Sequence, residues 1–182
     1  MEMHVGQRSF LREKLIPLIL GAFVILADQI SKAIIVHYWP KEGTFITDVF
    51  NNGFLWIIHV RNKAIAFSIG EGLPDLWRTL LFILFPLVVL ALLLAYYFKT
   101  DEFTFFQRWC VAGIIGGGLG NLIDRIVRPA GVVDFVSVNV YGFLGFSRWP
   151  TFNVADATVV VCGILLLGSM LFKPQPRKGE AS

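Results

Sequence analysis

Four apolar stretches, roughly Leu15–His37, Leu76–Phe98, Trp109–Val127 and Ala155–Phe172, dominate this chain and limit what it can fold into. A helix of about 20 apolar residues, rising about 1.5 Å per residue, spans the hydrocarbon core of a bilayer. The second stretch runs from Leu80 to Tyr97 without one charged residue. Composition agrees: 55% of the 182 residues are hydrophobic and 16% charged, against about 45–50% and about 25% in soluble domains. An ordinary soluble domain, a disordered chain and a nucleic-acid-binding module are excluded. The net charge of +3 fits basic flanks of membrane helices. Cys110 and Cys162 lie inside apolar stretches and offer neither a disulfide framework nor a zinc spacing.

The expected fold is an all-α membrane protein. A four-helix transmembrane bundle carries a small outer-face β-hairpin or cradle between helices 1 and 2, in one domain covering residues 1–182. Glycines in the third and fourth spans, Gly113, Gly116, Gly117, Gly118, Gly120, Gly163 and Gly168, suit close helix packing. Arg8, Arg12 and Lys14 before Leu15–Ala27 resemble a signal peptide, but the apolar run continues past Asp28 and Lys32 without a small-x-small cleavage site, so the helix is retained. Arg8, Arg12, Lys14, Lys99, Arg108, Lys173, Arg177 and Lys178 flank one side; Lys41, Arg61, Lys63, Arg128 and Arg148 flank the other, with Arg78 at a span edge. This bias places both termini in the cytoplasm.

Between the first two spans, residues 40–75 read as β-rich. Thr44–Phe50 alternates, Asn52-Gly53 signals a hairpin, and Phe54–Val60 is aromatic and β-branched. Leu73–Trp77 can start a short interfacial helix. Pro129–Pro150, rich in glycine and aromatics, reads as an interfacial loop.

Ionisable groups inside spans are costly and point to function. Asp28, Lys32, Asp124, Arg125 and Asp156, with Asp134 just past the third span, all fall toward the outer ends of their segments. Asp28 and Lys32 are i,i+4 and can pair; Asn121, Asp124 and Arg125 share an i, i+3, i+4 face. Asn153 precedes Asp156 by three residues and can cap the fourth helix. Asp134 and Asp156 have no basic neighbour within four residues. Two such carboxylates at close range share one proton, so one can act as base toward water and the other as acid. Other protease chemistries fit worse: there is no H-E-x-x-H and no G-x-S-x-G, and neighbouring Ser31 and Lys32 do not face each other on a helix.

Five blocks in order resemble lipoprotein signal peptidase (signal peptidase II), a bacterial membrane aspartic endopeptidase: Asp28-Gln29-Ile30-Ser31-Lys32, Asn62-Lys63-Ala64-Ile65-Ala66-Phe67, Gly120-Asn121-Leu122-Ile123-Asp124-Arg125, Val132-Val133-Asp134-Phe135 and Phe152-Asn153-Val154-Ala155-Asp156. The resemblance implies a catalytic pair at Asp134 and Asp156. It implies substrate-binding or supporting roles for Asn62, Asn121, Asp124, Arg125, Asn153, Asp28 and Lys32, with no metal or cofactor. It further implies a monomer in the bacterial inner membrane that removes the signal peptide of diacylglyceryl-modified prolipoproteins, cutting before the lipidated cysteine, with its site toward the outer face. Its partners are then the lipidated substrate and membrane lipid, with no nucleic acid. Ala64 departs from the glycine that the family usually carries there, and the Asp134–Asp156 segment is longer than usual.

Two other classes compete. A small proton-coupled transporter would use Asp28, Lys32 and Asp124 as a relay, but the spans carry no acids near the cytoplasmic end. A purely structural subunit leaves Asp134 and Asp156 unexplained.

Overall fold

In the computed structural model, residues 10–62, 72 and 74–171 are described. Four helices are long and apolar enough to cross a membrane: α1 (Arg12–Tyr38), α2 (Asp75–Lys99), α3 (Phe105–Val127) and α4 (Val154–Leu171). The first turns of α1, Leu11–Leu15, are π-helical, as is Leu80–Leu84 within α2. The expected spans agree to within a few residues except at α3, which starts four residues earlier than Trp109. The cause is a capping box: Thr104 Oγ1 accepts the Gln107 N–H at 3.2 Å, and Gln107 Oε1 accepts the Thr104 N–H at 3.0 Å. Of the expected helix start at Leu73–Trp77, Leu73 lies outside the described residues, and Asp75–Thr79 is the first turn of α2.

The helix faces explain the packing. On α1 the buried residues Gly21, Val24, Asp28, Lys32 and Ile35 recur every three or four positions, so they form one stripe. The opposite residues, Ile19, Phe23, Leu26 and Ile30, are exposed and apolar, as a lipid-covered face requires. Helix α3 is the most buried span; α1, α2 and α4 all pack on it, while α2 and α4 hardly meet. Small residues permit this. A Cβ built on Gly116 lies 2.5 Å from the Gly21 carbonyl oxygen, and one on Gly117 lies 2.6 Å from the Ala155 carbonyl oxygen. Neither backbone contact can yield to a side chain, so α1 and α4 depend on glycine at those points.

The expected hairpin is present as two antiparallel strands between α1 and α2, and a third strand after α3 extends it into a sheet. Strands β1 (Phe45–Asp48), β2 (Leu55–Asn62) and β3 (Val132–Val138) are antiparallel in that order. The β1–β2 connection is longer than a two-residue turn. Asp48 Oδ2 accepts the Gly53 N–H at 2.6 Å, and Gly53 takes φ +77°, a conformation suited to glycine. Strand β3 corrects the reading of Pro129–Pro150 as loop throughout: Val132–Val138 is a run of strand formers with one acid in it. The next segment is tied down by Arg148, which donates to the Gly53 and Ser137 carbonyls at 2.8 and 2.6 Å and lies 3.8 Å from the Trp56 ring centroid.

Alternation along β3 positions the site. Val133 and Phe135 pack on Ile35 of α1 in a buried cluster. Val132 and Asp134, on the other face, line a cavity.

Candidate active site

Asp134 leaves β3 opposite Val60 of β2 and is 2% exposed. Two residues beyond Val60, on the same strand face, Asn62 donates from Nδ2 to Asp134 Oδ2 at 3.1 Å. The Phe135 and Val136 amides donate to the Phe152 carbonyl at 3.1 and 2.9 Å, which brings the start of α4 against β3. Asn153, fully buried, then bridges the two acids. Its Nδ2 donates to Asp134 Oδ1 at 2.7 Å, and its backbone N–H donates to Asp156 Oδ2 at 3.2 Å. Asn153 Oδ1 accepts the Asp156 N–H at 2.9 Å. Asn153 is thus the expected cap of α4, and the cap itself holds the second carboxylate in place.

The third contributor is α3. Asn121 Nδ2 donates to Asp156 Oδ1 at 2.7 Å, while its Oδ1 accepts from Lys32 Nζ and Asn153 Nδ2, both at 3.1 Å. Among the described residues, neither Asp134 nor Asp156 has a salt bridge. Amides alone hold the pair. Burial, and then the neighbouring Asp156 charge, push the Asp134 carboxyl up to about 7 against the hydrogen bonds from Asn62 and Asn153. A carboxyl so placed can keep a proton near neutral pH and hand it on.

The remaining polar residues form a separate layer behind the pair. Lys32 Nζ lies 2.7 Å from Asp28 Oδ2 and 2.9 Å from Asp124 Oδ2, all three fully buried. Arg128 contacts Asp124 Oδ1. Two cations therefore meet two anions, which buried charge requires. Asp28 Oδ1 accepts the Ala155 N–H at 3.1 Å, and Asp124 Oδ2 accepts the Val133 N–H at 3.3 Å. The layer thus grips the residue before Asp156 and the residue before Asp134.

The expected pairing of Asp28 with Lys32 is present. Of the expected shared face, Asn121 and Asp124 both meet Lys32 Nζ, at 3.1 and 2.9 Å, whereas Arg125 does not join them there and lines the cavity. Adjacent helical positions differ by about 100°, so Asp124 and Arg125 part company. Arg128, four residues after Asp124, is the cation that the sequence reading assigned to a flank; its i,i+4 spacing was the available signal. Ala64 lies outside the described residues.

The pair opens on a cavity of about 1160 Å³ between α2 and α4, with Asn62, Asn121, Arg125, Asp134 and Asp156 at its polar end and apolar side chains along the helices. Polar groups converging in a largely apolar cavity are what a binding site presents. Over residues 20–172 the chain matches the family of signal peptidase (SPase) II. The chain belongs to that family. It is accordingly a peptidase, a hydrolase of peptide bonds. A protein named lipoprotein signal peptidase in Treponema pallidum (strain Nichols) is 45% identical over 160 residues, covering 88% of this chain and 85% of the relative. The protein of the same name in Borrelia duttonii (strain Ly) is 38% identical over 155 residues, covering 85% and 89%. Two solved bacterial membrane enzyme structures, obtained by the in meso method at 2.3 and 1.9 Å resolution, superpose with TM-scores of 0.73 and 0.71 at 25% and 27% identity. They cover 91% and 87% of this chain and 93% and 94% of their own. In this peptidase the match takes in all four membrane helices, the sheet and the carboxylate pair.

Proposed function

We propose that this signal peptidase II family member is an aspartic endopeptidase that cuts diacylglyceryl-modified prolipoproteins immediately before the lipidated cysteine. The observation that carries the reading is Asn153, whose side chain and backbone hold Asp134 and Asp156 together at the polar end of the large cavity.

The pair shares one proton. The ionised carboxylate takes a proton from water as its oxygen attacks the scissile carbonyl carbon; the protonated one gives its proton to the carbonyl oxygen. Collapse of the tetrahedral intermediate breaks the C–N bond, and the departing cysteine nitrogen takes the proton that the first carboxylate removed from water. The second carboxylate takes a proton back from a hydroxyl of the intermediate, which restores the shared proton. The two roles belong to the pair rather than to either residue. Asn62, Asn121 and Asn153 orient the carboxylates, Arg125 lines the substrate cavity, and Asp28, Lys32 and Asp124 support the frame. No metal or cofactor takes part, and one copy of the chain suffices.

Both termini face the cytoplasm and the pair faces the outer side of the bacterial inner membrane. A substrate anchored by acyl chains in the outer leaflet then presents its peptide bond at the depth of the pair. Reporter fusions at both termini read cytoplasm in this orientation, and fusions near Glu42 or Gly145 read the outer side.

The test is cleavage of a diacylglyceryl-modified prolipoprotein by the purified chain. Asp134→Asn and Asp156→Asn each lower kcat by about 10³-fold or more, and the double variant is no worse, because the two act as a unit. A chelator changes nothing. A well-folded single variant that still cuts, or inhibition by a chelator that added metal reverses, overturns the reading.

A further inference from the structure

A second cavity lies further along the same helices as the one at the carboxylate pair. On α3, Arg125, Asn121, Gly118 and Ile114 line the upper cavity, and Val111 and Gln107 line a second one of about 370 Å³. These positions step back by three or four residues throughout, so they are one face of one helix. The α2 wall repeats the pattern, with Pro86 and Val89 above and Leu93 and Tyr96 below. On α4, Val159 lines the upper cavity and Leu166 and Met170 the lower. Gly163 stands in line between them, and a Cβ built there meets nothing within 4 Å. Because α2 and α4 hardly meet, the two cavities lie along one trough whose floor is α3.

Charge marks the far end of that trough. Asp101 is engaged by Lys14 at 2.8 Å and by Arg108 at 3.8 Å. Glu102 lines the lower cavity and is exposed. Its Oε2 accepts from the Tyr96 hydroxyl at 3.4 Å, and no lysine or arginine among the described residues pairs with it. An apolar channel thus ends at a carboxylate without a cation.

Length identifies the occupant. Fourteen residues of α3 separate Asn121, at the carboxylates, from Gln107, beside Glu102, a distance of about 21 Å. A signal peptide has an apolar core of about 7–15 residues preceded by a positively charged segment. As a helix that core measures about 10–22 Å. We propose that the lower trough seats the apolar core of the substrate's signal peptide as a helix, and that Glu102 pairs with the basic residues preceding it. The inference rests on the proposed function and orientation, and adds a determinant of substrate selection remote from the chemistry.

The test uses the full chain in nanodiscs and labelled synthetic diacylglyceryl lipopeptides whose first segment carries either two lysines or two glutamates. Cleavage and direct binding are both measured. Glu102→Lys raises KM and Kd for the lysine peptide about fivefold, as expected for a partly exposed ion pair. It leaves kcat unchanged and lowers both constants for the glutamate peptide. Leu166→Trp, which fills the lower cavity, weakens binding of the full peptide about tenfold but not of one lacking the cytoplasmic half of its apolar core. If the charge of residue 102 leaves the preference between the two peptides unaltered, or Leu166→Trp leaves binding of the full peptide unaltered, the inference is overturned. Charge-dependent binding without cleavage supports the trough and counts against the peptidase chemistry alone.

Discussion

Lys32 Nζ donates to Asn121 Oδ1 at 3.1 Å, and this contact sets which end of the Asn121 amide faces Asp156. With its oxygen occupied by the ammonium, the amide can offer only its NH₂ to the carboxylate, at 2.7 Å. A reversed amide would put oxygen against oxygen. Lys32 is therefore a positioning residue, and its charge also lowers the affinity of Asp134 for a proton. In a Lys32→Met variant paired with Asp28→Asn to limit the unbalanced charge, kcat falls about 10-fold or more while KM changes little. The descending limb of the pH–rate profile also moves to higher pH. A purely structural lysine would lower the amount of folded enzyme and leave the profile of the remainder in place.

The raised Asp134 carboxyl, at about 7, makes a pH prediction of definite sign. Cleavage that needs the shared proton declines as pH rises through about 7 and beyond; a rate constant flat to pH 9 refutes it. Stability follows the same proton. Between an unfolded value of about 4 and the folded value of about 7, the folded chain holds a proton that the unfolded chain has released. The wild type therefore loses stability relative to Asp134→Asn as pH rises from about 4 to about 7, and the difference levels off above. Thermal unfolding of both proteins in one detergent across that range measures it.

The layer of Asp28, Lys32, Asp124 and Arg128 predicts non-additive stability. Removing one member of a buried ion pair costs about 3–5 kcal/mol, because the other charge stays behind. Asp28→Asn alone leaves Lys32 with Asp124, so it costs less than Lys32→Met, which strands both Asp28 and part of Asp124. The double variant Asp28→Asn, Lys32→Met recovers part of the loss, because Asp124 retains Arg128. A double-variant loss equal to the sum of the Asp28→Asn and Lys32→Met losses would show that Asp28 and Lys32 do not couple.

Hydropathy alone placed the four helices, because a bilayer-length apolar run has few alternatives. It also made Asp28, Lys32, Asp124 and Asp156 conspicuous, since each interrupts such a run. Strand β3 was harder to see. Its seven residues lie outside any span, an aspartate breaks their apolar pattern, and their pairing with β2 joins segments about 70 residues apart. A non-local contact also hides the role of Asn153: the sequence shows a cap, but only the β3–α4 contact turns its Nδ2 toward Asp134. Arg128 was legible by spacing from Asp124 and was obscured by its place at a span end, where a cation reads as a topology signal.

The glycine contacts carry the last prediction. A Cβ on Gly116 would sit 2.5–2.9 Å from backbone atoms of Gly21, whereas a Cβ on Gly163 meets nothing within 4 Å. Both glycines lie in membrane helices, so loss of glycine flexibility affects both alike, and only the first substitution separates two helices. Gly116→Ala pushes α1 from α3 and with it displaces Asp28 and Lys32, which lie two and three turns further along the α1 stripe. The expected result is a loss of about 1–3 kcal/mol in stability, typical of overpacking, together with reduced kcat. Gly163→Ala leaves unfolding within about 0.5 kcal/mol of the wild type. Comparable destabilisation by the two substitutions, measured by unfolding in the same detergent, would show that the α1–α3 approach does not depend on glycine at 116.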